Sequence, residues 1–99
     1  MKRLPLTAQK IKRLEARYRL LASRLGNFGS LSQGSVMPNP PNAWRWTRKI
    51  GGKTVSRGLA SGKVHKMKEA IANHRALDKI IDEMREITLK LILETHEPS

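Results

Sequence analysis

The side chains with the clearest chemical potential in this chain are its cations. Twenty lysines and arginines stand against eight aspartates and glutamates in 99 residues, which gives a formal charge of +12 and a pI near 11.0. Residues 43–68 hold eight of these cations and no acidic residue. A charge excess of this size repels itself unless a polyanion neutralises it. The composition therefore favours binding to DNA, RNA or another anionic surface.

Two groups of cations could contact phosphate groups, one in the middle of the chain and one near its N-terminus. Lysine and arginine neutralise phosphates without reading the base sequence, and arginine can also contact guanine edges. The predicted nucleic-acid-binding residues are Arg45, Arg48, Lys49, Lys53, Arg57, Lys63, Lys66 and Lys68, together with Lys10, Arg13 and Arg17. Trp44 could stack on an unpaired base. Packing against aliphatic neighbours is the alternative for Trp44 and the preferred interpretation for Trp46.

The residue types that perform catalysis or bind metals lack the spacing that those tasks need. His65 and His74 are nine residues apart, outside the i, i+4 spacing of helical ligands, and the chain has no cysteine. The serines of residues 30–35 have no Gly-x-Ser-x-Gly frame. The segment 51–54 reads Gly-Gly-Lys-Thr but lacks the first glycine of a phosphate-binding loop. We therefore expect no enzymatic activity, no metal site and no cofactor.

Two amphipathic helices are predicted to position these cations. The first spans residues 7–25, with Thr7 as its N-cap and Gly26 at its C-terminal end. Its apolar stripe consists of Ile11, Leu14, Tyr18, Leu21 and Leu25. The second helix spans residues 62–93, with Ser61 as its N-cap. Its stripe consists of Val64, Met67, Ala70, Ile71, Leu77, Ile80, Ile81, Met84, Ile87 and Leu91.

A linker and a β-hairpin are predicted between the helices. Residues 26–42 are rich in Gly, Ser, Asn and Pro and read as an extended or mobile loop. Residues 43–59 read as two strands joined by a Gly51-Gly52 turn. This turn predicts the cross-strand pairs Ile50–Lys53, Arg48–Val55, Trp46–Arg57 and Trp44–Leu59. Alternation then gives the hairpin an apolar side that carries both tryptophans and a polar side that carries Arg45 and Lys49.

Together these elements predict one α+β domain over residues 1–99. The order is N-terminal helix, Pro-rich loop, two-stranded antiparallel hairpin, and a long C-terminal helix packed antiparallel on the first, with a frayed tail at residues 94–99. Residues 69–99 hold four cations and seven acidic residues. The cations of the first helix could therefore meet Asp78, Asp82, Glu83 and Glu86, or they could contact nucleic acid. Both alternatives stay open, and the apolar stripes also permit a homo-oligomer.

Sequence features also bear on location. No apolar run approaches the roughly 20 residues of a membrane span. Lys10, Lys12 and Arg13 interrupt any apolar stretch of a signal peptide. We expect a cytoplasmic protein with no membrane partner.

Residues 29–88 resemble an uncharacterised family of small basic proteins commonly encoded beside transposases and in other bacterial mobile elements. The resemblance is carried by Gly34-Ser35-Val36, by the hairpin sequence from Trp46 to Arg57, and by the helix pattern from Ala70 to Leu77 followed by Ile80 and Met84. Many members of that family have a cysteine cluster before the hairpin, where this chain has only residues 37–42. The resemblance therefore implies no metal. The hairpin is also similar, over a short stretch, to the arm-site-binding hairpins of phage-type integrases.

These features predict a non-enzymatic nucleic-acid-binding accessory protein of a bacterial mobile element. Its basic hairpin would contact the phosphate backbone, and a DNA-binding form would associate with the nucleoid. The alternative is a helix-mediated protein-interaction subunit of a transposase, a recombinase or another nucleoprotein complex.

Overall fold

The computed structural model describes residues 5–94 and has the α+β architecture predicted from the sequence. Helix α1 (Ala8–Arg24) is followed by a short 3-10 turn (Leu25–Asn27). Three strands come next: β1 (Ser35–Asn39), β2 (Ala43–Ile50) and β3 (Lys53–Leu59). A second 3-10 turn (Ser61–Lys63) leads into the long helix α2 (Val64–Leu93). The predicted tail beyond Glu94 lies outside the described residues.

The chain forms two compact units that share α2. Of the described residues, those up to Asn27 and from Leu77 onward form the helical unit, and residues 28–76 form the sheet unit. Helix α2 thus contributes its beginning to the sheet unit and its end to the helical unit.

In the helical unit, α1 and the end of α2 run antiparallel, as predicted. The Leu6 amide donates to the Glu94 carbonyl at 2.8 Å. The Arg17 guanidinium on α1 donates to both carboxylate oxygens of Glu83 on α2, at 2.6 and 3.1 Å. Arg17 is eleven residues after Leu6 and Glu83 is eleven residues before Glu94, as antiparallel helices require. The apolar stripes meet between the helices, where Leu21 is 1% exposed.

The helix ends are partly as predicted. The Thr7 hydroxyl accepts from the Lys10 amide at 3.2 Å, so Thr7 is the N-cap of α1. Gly26 was expected to end the first helix; α1 ends at Arg24, and the 3-10 turn Leu25–Asn27 follows, in which the φ of Gly26 is not positive. The prediction that Ser61 caps α2 is wrong. Ser61 is the first residue of the second 3-10 turn, and Ala60, the N-cap of that turn, makes no side-chain capping hydrogen bond.

The sheet is antiparallel with strand order β1-β2-β3. The register of β2 and β3 matches the prediction at all four pairs: Ile50–Lys53, Arg48–Val55, Trp46–Arg57 and Trp44–Leu59. Gly51 and Gly52 both have positive φ, at 54° and 81°. Positive φ at both central residues is what a two-residue hairpin turn of type I′ requires. The glycine pair therefore fixed which side chains share a face.

Strand β1 corrects the prediction that residues 26–42 are only a linker. Ser35–Asn39 pairs along β2, from Ser35 opposite Thr47 to Asn39 opposite Ala43. The hydroxyl groups of Ser35 and Thr47 share a hydrogen bond of 3.1 Å. Pro38 argues against a central strand but is compatible with the edge position that β1 occupies.

The sheet packs on the first part of α2. Val64, Ala70 and Ile71 are buried there. The loop before β1 is tied to the helix because the Ser32 amide donates to the Ala70 carbonyl at 3.1 Å and the Asn73 amide group donates to the Ser30 carbonyl at 3.1 Å.

The apolar side of the hairpin is only partly covered. Trp44, Trp46 and Leu59 are half-buried, whereas Ile50 and Val55, nearer the turn, are 47% and 40% exposed. The turn end of the hairpin therefore projects beyond the packed part of the sheet unit.

Candidate nucleic-acid interface

The sheet unit concentrates the positive charge of the chain. Its 49 residues contain nine lysines and arginines and one acidic residue, Glu69, a net charge of +8. Glu69 is exposed, and its carboxylate lies 3.9 Å from the even more exposed His65 ring on α2. All eight cations predicted in the middle of the chain belong to this unit, namely Arg45, Arg48, Lys49, Lys53, Arg57, Lys63, Lys66 and Lys68.

The register divides the strand cations between the two faces of the sheet. Arg45 and Lys49 are exposed on the face that also carries Thr47. Arg48 lies on the opposite face with Trp46, and Arg57 is paired directly with Trp46. Side chains at alternate positions of a strand point to opposite faces. The cations are thus spread around the sheet rather than gathered on one polar side.

A first cleft brings strand and helix cations together. It has a volume of about 240 Å³ and is bordered by Arg57 on β3 and Lys63 next to the start of α2. Trp46, Leu59 and Met67 supply its apolar surface. An apolar floor beneath two cations suits a phosphate with its attached sugar or base.

A second cleft contains a cation that the sequence reasoning missed. Lys68 and Arg75 of α2 border a cleft of about 310 Å³ beside Ser35 and Val36 of β1. Arg75 is seven residues after Lys68, two helical turns along the same face. That spacing was visible in the sequence, but Arg75 lies beyond the acid-free segment 43–68 on which the prediction concentrated.

A third cleft, also of about 310 Å³, is bordered by Arg48, Trp46, Gln33 and His74. The Arg48 guanidinium carbon lies 4.8 Å from the centroid of the Trp46 ring, within the range of a cation–π interaction. The Arg48 Nε is buried and has no hydrogen-bond partner among the described residues. Arg48 is therefore held against the sheet, and its contribution to a ligand would come from the remaining guanidinium nitrogens.

The two tryptophans serve the fold in different ways. The Trp46 indole N–H donates to the Gln33 carbonyl at 2.8 Å, which fastens the loop before β1 to β2. Trp44 is half-buried, and the Lys68 ammonium lies 5.1 Å from its ring centroid. A base that stacked on this face of Trp44 would displace Lys68. Stacking by Trp44 stays a prediction.

The N-terminal group of predicted contacts belongs to the helical unit. Lys10 and Arg13 are exposed on α1. Arg17 is engaged by Glu83 in the two-bonded pair described above. The hydrogen bond from Arg17 is the main cause of the lowered pKa of the Glu83 carboxyl. Desolvation opposes this hydrogen bond, and the positive charges of Arg17 and Arg24 lower the pKa further. The sequence left open whether the cations of the first helix pair with acidic residues of the second helix or contact nucleic acid. In the structure, Arg17 pairs with Glu83 of α2.

Within residues 5–94, no group of three or more His, Cys, Asp and Glu side chains is placed to hold a metal ion. No helix in the same range is long and apolar enough to cross a lipid bilayer. No family model matches the chain, and neither the curated proteins nor the solved structures include a significant match. The resemblance to proteins of mobile elements therefore stays a prediction from the sequence.

Proposed function

We propose that this protein binds nucleic acid without catalysing a reaction, and that the sheet unit is its contact surface. The observation that carries the proposal is the net charge of +8 on residues 28–76, with cations bordering three clefts and the single acid placed beside His65. Each lysine or arginine that reaches a phosphate releases a condensed counterion, and this release drives binding without regard to base sequence.

The distribution of the cations favours contact with a flexible or curved backbone rather than with one flat surface. Arg57 and Lys63 border the first cleft, whereas Lys68 and Arg75 border the second cleft, beside β1. Arg45 and Lys49 are exposed on the far face of the sheet. Phosphate neutralisation is therefore proposed as the main source of affinity, with little reading of base edges.

The biological setting is proposed from the sequence resemblance alone. It is that of an accessory protein of a bacterial mobile element, acting in the cytoplasm and, if the ligand is DNA, at the nucleoid.

The test is an electrophoretic mobility-shift series with duplex DNA, single-stranded DNA and structured RNA of equal length, each at several salt concentrations. If about five phosphates of duplex DNA are neutralised, log K falls against log salt with a slope of about −4 to −5. An affinity that does not change with salt would contradict the proposal. The order of the three ligands identifies the preferred nucleic acid.

The alternative predicted from the sequence, a protein-interaction subunit, gives a different result in the same series. A triple Arg45→Ala, Lys49→Ala and Arg57→Ala variant should lose most of its nucleic-acid affinity if the proposal is right. These three side chains are exposed, so the fold should survive their removal. Unchanged affinity in a folded triple variant would favour the alternative.

A further inference from the structure

An apolar groove runs along one side of the helical unit, between α1 and the end of α2. It consists of two adjoining depressions of about 370 and 460 Å³ that share Tyr18 and Thr88 as lining residues. Its apolar surface is extended by Leu25, which directly follows α1, and by Met84, Leu89 and Ile92 on α2. The groove lies entirely within the helical unit.

The helical unit covers little of its own apolar surface. Among its described residues, only Leu21 and Ile87 are buried. Along the groove, Leu25 is 37% exposed, Leu89 is 48% exposed and Ile92 is 59% exposed. Helices of this length owe most of their stability to the packing of an apolar face, and a pair of helices encloses less of that face than a bundle of four. The exposed groove therefore has the composition of an interface that another pair of helices would cover.

The charges of the two helices are complementary. Residues 8–24 of α1 carry six cations and one acid, whereas residues 77–94 carry three cations and five acids. Three charged residues line the groove itself: Glu15, which is the one acid of α1, Arg19 of α1 and Arg85 of α2. The antiparallel register that joins Arg17 to Glu83 puts Glu15 and Arg85 at the same level.

We propose that a second copy of this chain covers the groove and that the two helical units form an antiparallel four-helix bundle. The twofold axis would run parallel to the helices. Each α1 would then lie against its own α2 and against the α2 of the other copy, so that basic helices alternate with acidic ones around the bundle.

A twofold axis parallel to the helices places each residue at the same height along the bundle as the identical residue of the other copy. Glu15 of one copy therefore faces the partner's Arg85, and by symmetry the same contact occurs twice. A twofold axis perpendicular to the helices would instead set α1 against the partner's α1 and bring their cations together. The charge pattern thus selects one arrangement of the two copies.

Sedimentation equilibrium of the full chain, freed of nucleic acid, measures the association directly. We expect a concentration-dependent monomer–dimer equilibrium. Leu89→Glu and Ile92→Glu each place a charge on the exposed groove and should shift the chain to monomer. Leu20→Glu is the matched control, since Leu20 is 46% exposed on α1 but does not line the groove, and it should leave the dimer intact. Circular dichroism should show native helix content in all three variants.

Charge exchange tests the arrangement of the copies. In a Glu15→Arg dimer, the new arginine of each copy faces the partner's Arg85, so two arginine pairs repel each other. In an Arg85→Glu dimer, the new glutamate of each copy faces the partner's Glu15, so two glutamate pairs repel each other. Each variant should weaken the dimer on the order of tenfold, and the double variant should recover affinity, because exposed ion pairs act through their relative sign.

Cross-linking gives a second, independent reading. The chain has no cysteine, so introduced thiols are the only ones present. A mixture of Glu15→Cys chains and Arg85→Cys chains should form disulfide-linked heterodimers on oxidation, and Glu15→Cys chains alone should not. Monomeric behaviour at all concentrations would overturn the proposal, as would equal effects of Leu89→Glu and Leu20→Glu. Nucleic-acid binding by the sheet unit is measured separately, so either proposal can fail without the other.

Discussion

Gly34 approaches the backbone of Thr47 so closely that a Cβ atom at residue 34 would lie 2.0 Å from the Thr47 carbonyl oxygen. Gly34 also has a φ of +98°, a conformation that side chains with a Cβ rarely adopt. It stands immediately before Ser35, the first residue of β1. The absence of a side chain at residue 34 therefore allows the third strand to join the sheet.

Replacement of Gly34 by alanine should separate β1 from β2 and destabilise the protein by about 2–4 kcal/mol, because both the backbone conformation and the contact become unfavourable. Urea unfolding followed by circular dichroism measures this loss. Gly26→Ala is the control. A Cβ at residue 26 meets no atom within 4 Å and the φ there is not positive, so this variant should be neutral or slightly stabilised. Equal stability of the two variants would contradict the proposed role of Gly34.

Replacement of Trp46 by phenylalanine should remove one hydrogen bond and retain most of the packing. The Gln33 carbonyl loses its indole donor, at a cost of about 0.5–1.5 kcal/mol. The comparison is Trp44→Phe, for which a smaller loss is expected because the described residues contain no hydrogen bond from the Trp44 indole. Each variant keeps one tryptophan as a fluorescence reporter of unfolding. The prediction fails if Trp44→Phe costs as much as Trp46→Phe.

The Arg17–Glu83 pair should make stability depend on pH in the acidic range. Glu83 has a lower pKa in the folded state than in the unfolded state, so its contribution is present at neutral pH and is lost as the pH falls through the folded value. Both side chains are more than 40% exposed, so the contribution is small and decreases with salt. The stability difference between the wild type and Glu83→Gln should therefore shrink between pH 6 and pH 3. Arg17→Gln should abolish the same pH dependence; a difference that grew on acidification would contradict the assignment.

Removal of the cations of one cleft should lower the salt dependence of nucleic-acid binding. Arg57→Ala combined with Lys63→Ala should reduce the slope of log K against log salt by about 2 and weaken binding similarly for unrelated sequences. Lys79→Ala combined with Lys90→Ala removes the same charge from the helical unit and should leave the slope nearly unchanged. Identical slopes for the two double variants would mean that overall charge, rather than the sheet unit, attracts the ligand.

The regular elements could be predicted because local residues determine them. The glycine pair at residues 51–52 determined the register of β2 and β3, and the apolar stripes determined which faces of the helices pack. The opposite charges of the first helix and of residues 69–99 indicated that the two helices are neighbours, and the Arg17–Glu83 contact joins them.

Strand β1 and the cation clusters could not be predicted in the same way, because they depend on contacts between distant parts of the chain. Pro38 and the short length of β1 conceal its pairing, which rests on the approach of Gly34 to Thr47 and on the hydroxyl pair of Ser35 and Thr47. Arg75 enters the candidate interface only because β1 lies beside α2.

The outer edge of β3 has one more consequence. Strand β3 pairs only with β2 among the described residues, and every one of its residues except Leu59 is exposed. An open edge of this kind can template strand addition from other molecules, and charged side chains are the usual defence against such aggregation. Lys53 and Arg57 provide that defence on β3. A polyanion that neutralised them would remove it, so the complex should be more prone to precipitate than the free chain.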